Sequence, residues 1–71
     1  MKTETAYTII IDARNKQKDC IVRTLDGYYS FNFANNNNTR IKYMENLILV
    51  DDGESMLFID CEHIVSIKVT K

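Results

Sequence analysis

Few residues in this chain have the type and spacing to do chemistry. Its softest ligands and nucleophiles are Cys20, Cys61 and its one histidine, His63. Cys61 and His63 stand at i and i+2, so on a strand they share a face. With Cys20 they would make part of a zinc site. Zinc normally takes four ligands at recurrent spacings, and the chain has no Cys-x-x-Cys pair. Cys20 therefore reads as a core thiol and Cys61–His63 as a turn, and no metal or other cofactor is expected. A Cys–His nucleophilic pair needs the base within hydrogen-bond reach, a group that orients it and an oxyanion hole. Neighbouring turn positions do not supply these, so the expectation is a protein that is not an enzyme. Asp51, Asp52 and Glu54 could face a hard cation, but no calcium-loop pattern surrounds them. They read as a solvated hairpin tip.

Binding without catalysis has better material. Tyr28 and Tyr43, with Arg23, Arg40 and Lys42, could stack on a base and neutralise a phosphate. The plainer reading of the tyrosines is an interface, where Tyr is common. Tyr29, Phe31 and Phe33 read as core.

The elements that must position these residues are strands. The chain has two glycines and no proline. Both glycines follow aspartate, at Asp26-Gly27 and Asp52-Gly53, and each pair sits between apolar, β-branched runs. Asp-Gly supplies the positive φ of tight hairpin turns. Tyr7–Ala13 reads as a strand from its run of isoleucines. Cys20–Leu25 and Tyr28–Ala34 form a hairpin around Asp26-Gly27, with Leu25 opposite Tyr28. That register gathers Cys20, Val22, Thr24, Tyr29, Phe31 and Phe33 on one face, and a slip of one residue would scatter them. The run Asn35–Asn38 is a loop. Ile41–Val50 and Ser55–Asp60 make a second hairpin with a four-residue loop closed by Val50 and Ser55. Ile64–Val69 is the last strand, with Val65, Ile67 and Val69 inward. No helix is expected. The second hairpin is apolar on both faces, and the face carrying Ile48, Leu57 and Ile59 is expected to meet another subunit or a partner.

At 71 residues the chain is read as a single domain, residues 1–71. A core this small is marginal, which favours self-association through strand edges. A net charge of −1 gives no global basic excess for phosphate binding. The basic residues gather in the first third, and residues 40–62 carry Arg40 and Lys42 against six carboxylates. Met1–Thr5 lacks an apolar leader, and no run is long enough to span a membrane. A cytoplasmic protein with reduced thiols is expected. Its Lys-, Asn- and Ile-rich composition suits an AT-rich genome or a phage.

From Cys20 to Val69 the sequence resembles the Sm-like proteins. Leu25-Asp26-Gly27 looks like the turn after that family's first strand. Met44-Glu45-Asn46-Leu47-Ile48-Leu49-Val50-Asp51-Asp52 is similar, with one insertion, to its Met-Asn-Leu-x-Leu segment. Leu57-Phe58-Ile59-Asp60-Cys61-Glu62-His63-Ile64-Val65-Ser66-Ile67 follows the pattern of its last two strands. The resemblance implies an all-β fold, a small five- or six-stranded SH3-like barrel of antiparallel hairpins. It implies ring assembly and a nucleotide-base site at the segment matching Met44–Asn46. Asn46 is retained, Asp60-Cys61 replaces the family's Arg-Gly, and the family's N-terminal helix has no counterpart in this reading.

The function expected is a non-catalytic, homo-oligomeric binding protein for RNA or a nucleotide, using Arg23, Tyr28, Arg40, Lys42, Tyr43 and Asn46. The alternative is a small phage- or mobile-element-encoded module that masks a host protein.

Overall fold

The computed structural model describes residues 1–36 and 38–70. It opens with a helix, α1 (Thr3–Asn15), where the sequence suggested a strand. The isoleucine run misled. Three β-branched residues cost a helix at most about 2 kcal/mol together. Burial of Ile10 alone offsets this by roughly 1.5–3 kcal/mol. The deciding pattern is Ala6, Ile10 and Ala13, all buried at i, i+4 and i+7. Glu4 in the first turn and Arg14 in the last complement the helix dipole. The helix ends in a Schellman motif. Lys18 N–H donates to the Ala13 carbonyl (2.9 Å) and Gln17 N–H to the Arg14 carbonyl (3.1 Å). Gln17 occupies the left-handed position at φ +56°, where glycine is usual.

The rest is β: β1 (Cys20–Thr24), β2 (Gly27–Phe31), β3 (Arg40–Met44), β4 (Leu47–Asp51), β5 (Met56–Asp60) and β6 (Ile64–Val69). A single 3-10 turn, Cys61–His63, joins β5 to β6. The strands form two antiparallel three-stranded sheets, ordered β2-β1-β6 and β3-β4-β5. The helix packs against β3, β4 and β6. One hydrophobic cluster unites helix and sheets, with Ile10, Cys20, Val22, Phe33, Ile48 and Cys61 sealed inside. The fold is thus mainly β, as expected, with one helix added.

Both hairpins differ from expectation by the same step. In the first, Arg23 pairs with Tyr28 and Thr24 with Gly27, so Leu25-Asp26 forms the turn. Thr24 Oγ1 accepts from Asp26 N–H (3.3 Å), and Leu25 N–H is drawn to the His63 carbonyl (3.0 Å). Gly27, at φ +147°, closes the turn instead of lying within it. In the second, Asp51 pairs with Met56, and the four-residue loop is Asp52–Ser55. Asp52 Oδ1 accepts from Glu54 N–H (2.9 Å) and Ser55 N–H (2.8 Å), which centres the loop there. Each pairing slides by two residues, so every side chain keeps its face.

The last strand holds a third departure. Between Arg23 and Thr24 the β1–β6 register shifts, pairing Arg23 with Ser66 but Thr24 with Ile64. Val65 is the extra residue of this bulge. Ile64 is therefore buried, and Val65 points out at 57% exposure.

Candidate functional site

The residues that the sequence singles out do not converge on one place. Arg23 and Tyr28 are direct cross-strand partners on the outward face of the β2-β1-β6 sheet, both exposed. Ser66 flanks Arg23 on the other side. Arg40 and Lys42 point outward from β3, opposite Asp51 and Leu49. Tyr43 faces the helix, its ring centroid 4.6 Å from that of Tyr7 and tilted by 51°. That contact makes Tyr43 an anchor for α1.

Asn46 has a different setting. It follows Glu45, which takes a left-handed φ of +53° in the β3–β4 turn. The Asn46 amide Nδ2 donates to Asp60 Oδ1 (3.3 Å), and its carbonyl accepts from Cys61 N–H (2.8 Å). Asp60 Oδ1 also caps the 3-10 turn by accepting from Glu62 N–H (2.9 Å), and Asp60 Oδ2 lies 3.7 Å from His63 Nε2. One carboxylate thus ties together the β3–β4 turn and the β5–β6 junction.

The three residues expected at an interface divide. Ile48 and Ile59 are cross-strand partners, 0% and 2% exposed, and Leu57 is half-buried against the same core. The apolar surface of this hairpin lies on the opposite face. Phe58, Met56 and Met44 are each more than half exposed there, beside the half-buried Leu47 and Leu49.

Neither thiol is poised to react. Burial pushes the Cys20 thiol up to about 11. Burial also raises Cys61, outweighing a hydrogen bond from Thr3 and the N-terminal charge, which pull it down. Both remain protonated near neutral pH and are free of disulfides. Among the described residues, no group of three or more His, Cys, Asp and Glu side chains is arranged to hold a metal.

A cavity of about 250 Å³ opens between the end of β2 and the β4–β5 loop, lined by the apolar Phe31, Val50 and Leu57 and the polar Asn32, Asn36 and Asp52. Apolar lining with a few polar groups is the usual character of a ligand pocket. Sequence reasoning missed it, because it filed Phe31 as core and the Asn and Asp runs as separate loops. The signal is that both loops leave the same end of the two sheets, which only the pairing reveals. A second cleft, of about 370 Å³, is lined by Asn38, Arg40, Asp51, Asp52 and Gly53. Asp52 borders both, and hydrogen bonds from Ser55 and Glu54 N–H hold its carboxyl below the usual range. Comparison with protein-family models, with curated proteins and with solved structures finds no match to the chain.

Proposed function

We propose that the chain is a non-catalytic, self-associating binding protein of Sm-like type whose ligand is RNA or a nucleotide. One observation carries this reading. The two segments that the resemblance implicates in base binding, Met44–Asn46 and Asp60-Cys61, adjoin through the Asn46 carbonyl and the Cys61 N–H at 2.8 Å. The element order adds support: a helix, a hairpin, a three-stranded meander, one 3-10 turn and a last strand that returns to pair with β1. A sheet pairing of first strand with last is what a small SH3-like barrel requires. Asp60 in place of the family's arginine removes a cation and uses its Oδ1 to orient Asn46. Binding therefore relies on Arg40 and Lys42 for charge. β2, β3, β5 and β6, each paired on one side only among the described residues, are the edges through which copies would join.

Fluorescence anisotropy with short single-stranded oligonucleotides at low salt tests the ligand. Binding that weakens in Arg40→Ala and Asn46→Ala supports the reading, and no shift with any RNA or nucleotide sinks it. Native mass spectrometry tests the assembly: a monomer at micromolar concentration removes self-association.

A second reading has its own observation, the outward apolar group of Met44, Met56 and Phe58. Surfaces of this kind mark protein contacts, and a module that masks a protein partner would use it. Phe58→Asp would then abolish partner capture that survives nuclease treatment, while leaving RNA binding unchanged.

A further inference from the structure

The 250 Å³ cavity lies apart from the Asn46–Asp60 junction, and its lining is specific enough to name a ligand. Phe31 is half-buried and stacks on Phe33 beneath it, with ring centroids 5.6 Å apart and planes within 4° of parallel. Phe31 also lines the cavity, and a flat heteroaromatic ring is the partner that an aromatic face prefers. Leu57 and Val50 add apolar lining.

The polar lining decides which ring. The two oxygens of Asp52 are differently engaged. Oδ1 accepts from Glu54 N–H, Ser55 N–H and, at 3.3 Å, the Ser55 hydroxyl. Among the described residues, Oδ2 has only a 3.4 Å contact from that hydroxyl. An ionised carboxylate accepts and cannot donate, so Oδ2, on a residue that lines the same cavity as Phe31, has acceptor capacity to spare. It would bond an exocyclic amine and repel a carbonyl oxygen. Phosphate is disfavoured here, because Asp51 and Asp52 outnumber Arg40 in the cleft that shares Asp52 with it.

We propose that this cavity takes a single nucleobase bearing an exocyclic amino group, stacked on Phe31 with its amine donating to Asp52 Oδ2 and its phosphates left in solvent. The assignment rests on the RNA or nucleotide reading for its class of ligand and on none of that reading's site residues.

Cytosine and uracil make the test, since they differ in an amine against a carbonyl at the same ring position. Oligocytidine and oligouridine of equal length are titrated against the full chain and against Asp52→Asn, Phe31→Leu and Thr8→Ala. Asp52→Asn keeps the Oδ1 acceptor that shapes the loop and turns Oδ2 into a donor. The wild type is expected to bind oligocytidine about tenfold more tightly, the scale of one good base-edge contact. Asp52→Asn should reverse that preference. Phe31→Leu should weaken both ligands, and Thr8→Ala, an exposed change on the helix, should leave both affinities unchanged. Equal affinity for both ligands in the wild type, or an unchanged ratio in Asp52→Asn, overturns the assignment while RNA binding itself stands. Binding of neither ligand overturns the assignment together with the reading beneath it.

Discussion

Ile10→Ala is the most informative single change, because it separates helix from strand at the segment where sequence and structure disagree. Ile10 has no exposed surface and is flanked on its helix face by Ala6 and Ala13. Such an Ile→Ala change loses transfer energy and leaves a cavity, and typically costs about 2–5 kcal/mol. A chain of 71 residues has a total stability of roughly 4–11 kcal/mol. The change therefore removes about a fifth of it at the least. In a domain of this size each kcal/mol moves the melting temperature by about 4–8 °C, so a drop of roughly 8–40 °C follows. Urea and thermal melts followed by far-ultraviolet circular dichroism measure it. Ile10→Val, at about 0.5–1.5 kcal/mol, keeps the effect measurable if the alanine variant fails to fold. Thr8 is exposed and bonds only to the Glu4 carbonyl (2.8 Å), so Thr8→Ala should change stability by less than about 0.5 kcal/mol. Ile9 and Ile11 are half-buried and should fall between. If instead Ile9→Ala and Ile11→Ala both cost more than Ile10→Ala, the period is two and the helical account is wrong.

Three further outcomes are expected. Gln17→Gly should stabilise the fold by about 0.5–1 kcal/mol, seen as a higher urea midpoint: a left-handed non-glycine residue costs about 1–2 kcal/mol, and the added freedom of glycine in the unfolded chain takes back about 0.5–1. With Cys20 raised from 9.0 to about 11, its thiolate fraction at pH 8 is about a hundredfold below that of a free thiol, so alkylation followed by mass spectrometry should label it only as fast as the chain unfolds. The sign of its pH effect follows: the folded state holds the proton longer, so this contribution is complete below pH 9, falls as pH rises towards 11, and should disappear in Cys20→Ala melts. The Asp52 carboxyl is shifted the other way, so its contribution is present above its ordinary value of 3.8 and lost as pH falls below it; the difference in urea midpoint between wild type and Asp52→Ala should shrink from pH 6 to pH 2.

Much of the strand content was legible because it depends on alternation. Cys20 and Val22 sit on the inward face that the pattern assigns them, and Ile48 and Ile59 share one face as the alternation requires, although that face is the core and not the outward one expected. Turn positions were not legible. At Asp26-Gly27 the dipeptide preference was overridden by Thr24 Oγ1 and by the carbonyl of His63, far along the chain from Leu25, whose N–H it accepts. The helix was missed because propensity was weighed where burial period should decide. Ala6 and Ala13 carry that period, and small residues hide it in a sequence dominated by three adjacent isoleucines. The bulge at Val65 leaves no mark in sequence, since Ile64 and Val65 are equally suited to either face. For the candidate site, the bond from Asn46 to Asp60 depends on two segments meeting in space, which sequence order does not show. The cavity over Phe31 depends on two loops that sequence order keeps apart.

The paired two-residue slides of the hairpins bear on how such a chain can change. What each turn must preserve is only whether its length is odd or even. Two residues added to the Leu25-Asp26 turn, or to the Asp52–Ser55 loop, leave Val22 and Val50 facing the interior. One added residue would turn a whole strand inside out unless a bulge, such as the one at Val65, absorbs it. Length variation in relatives of this chain should therefore come in even steps at these two turns, with odd steps confined to strands that already carry a bulge.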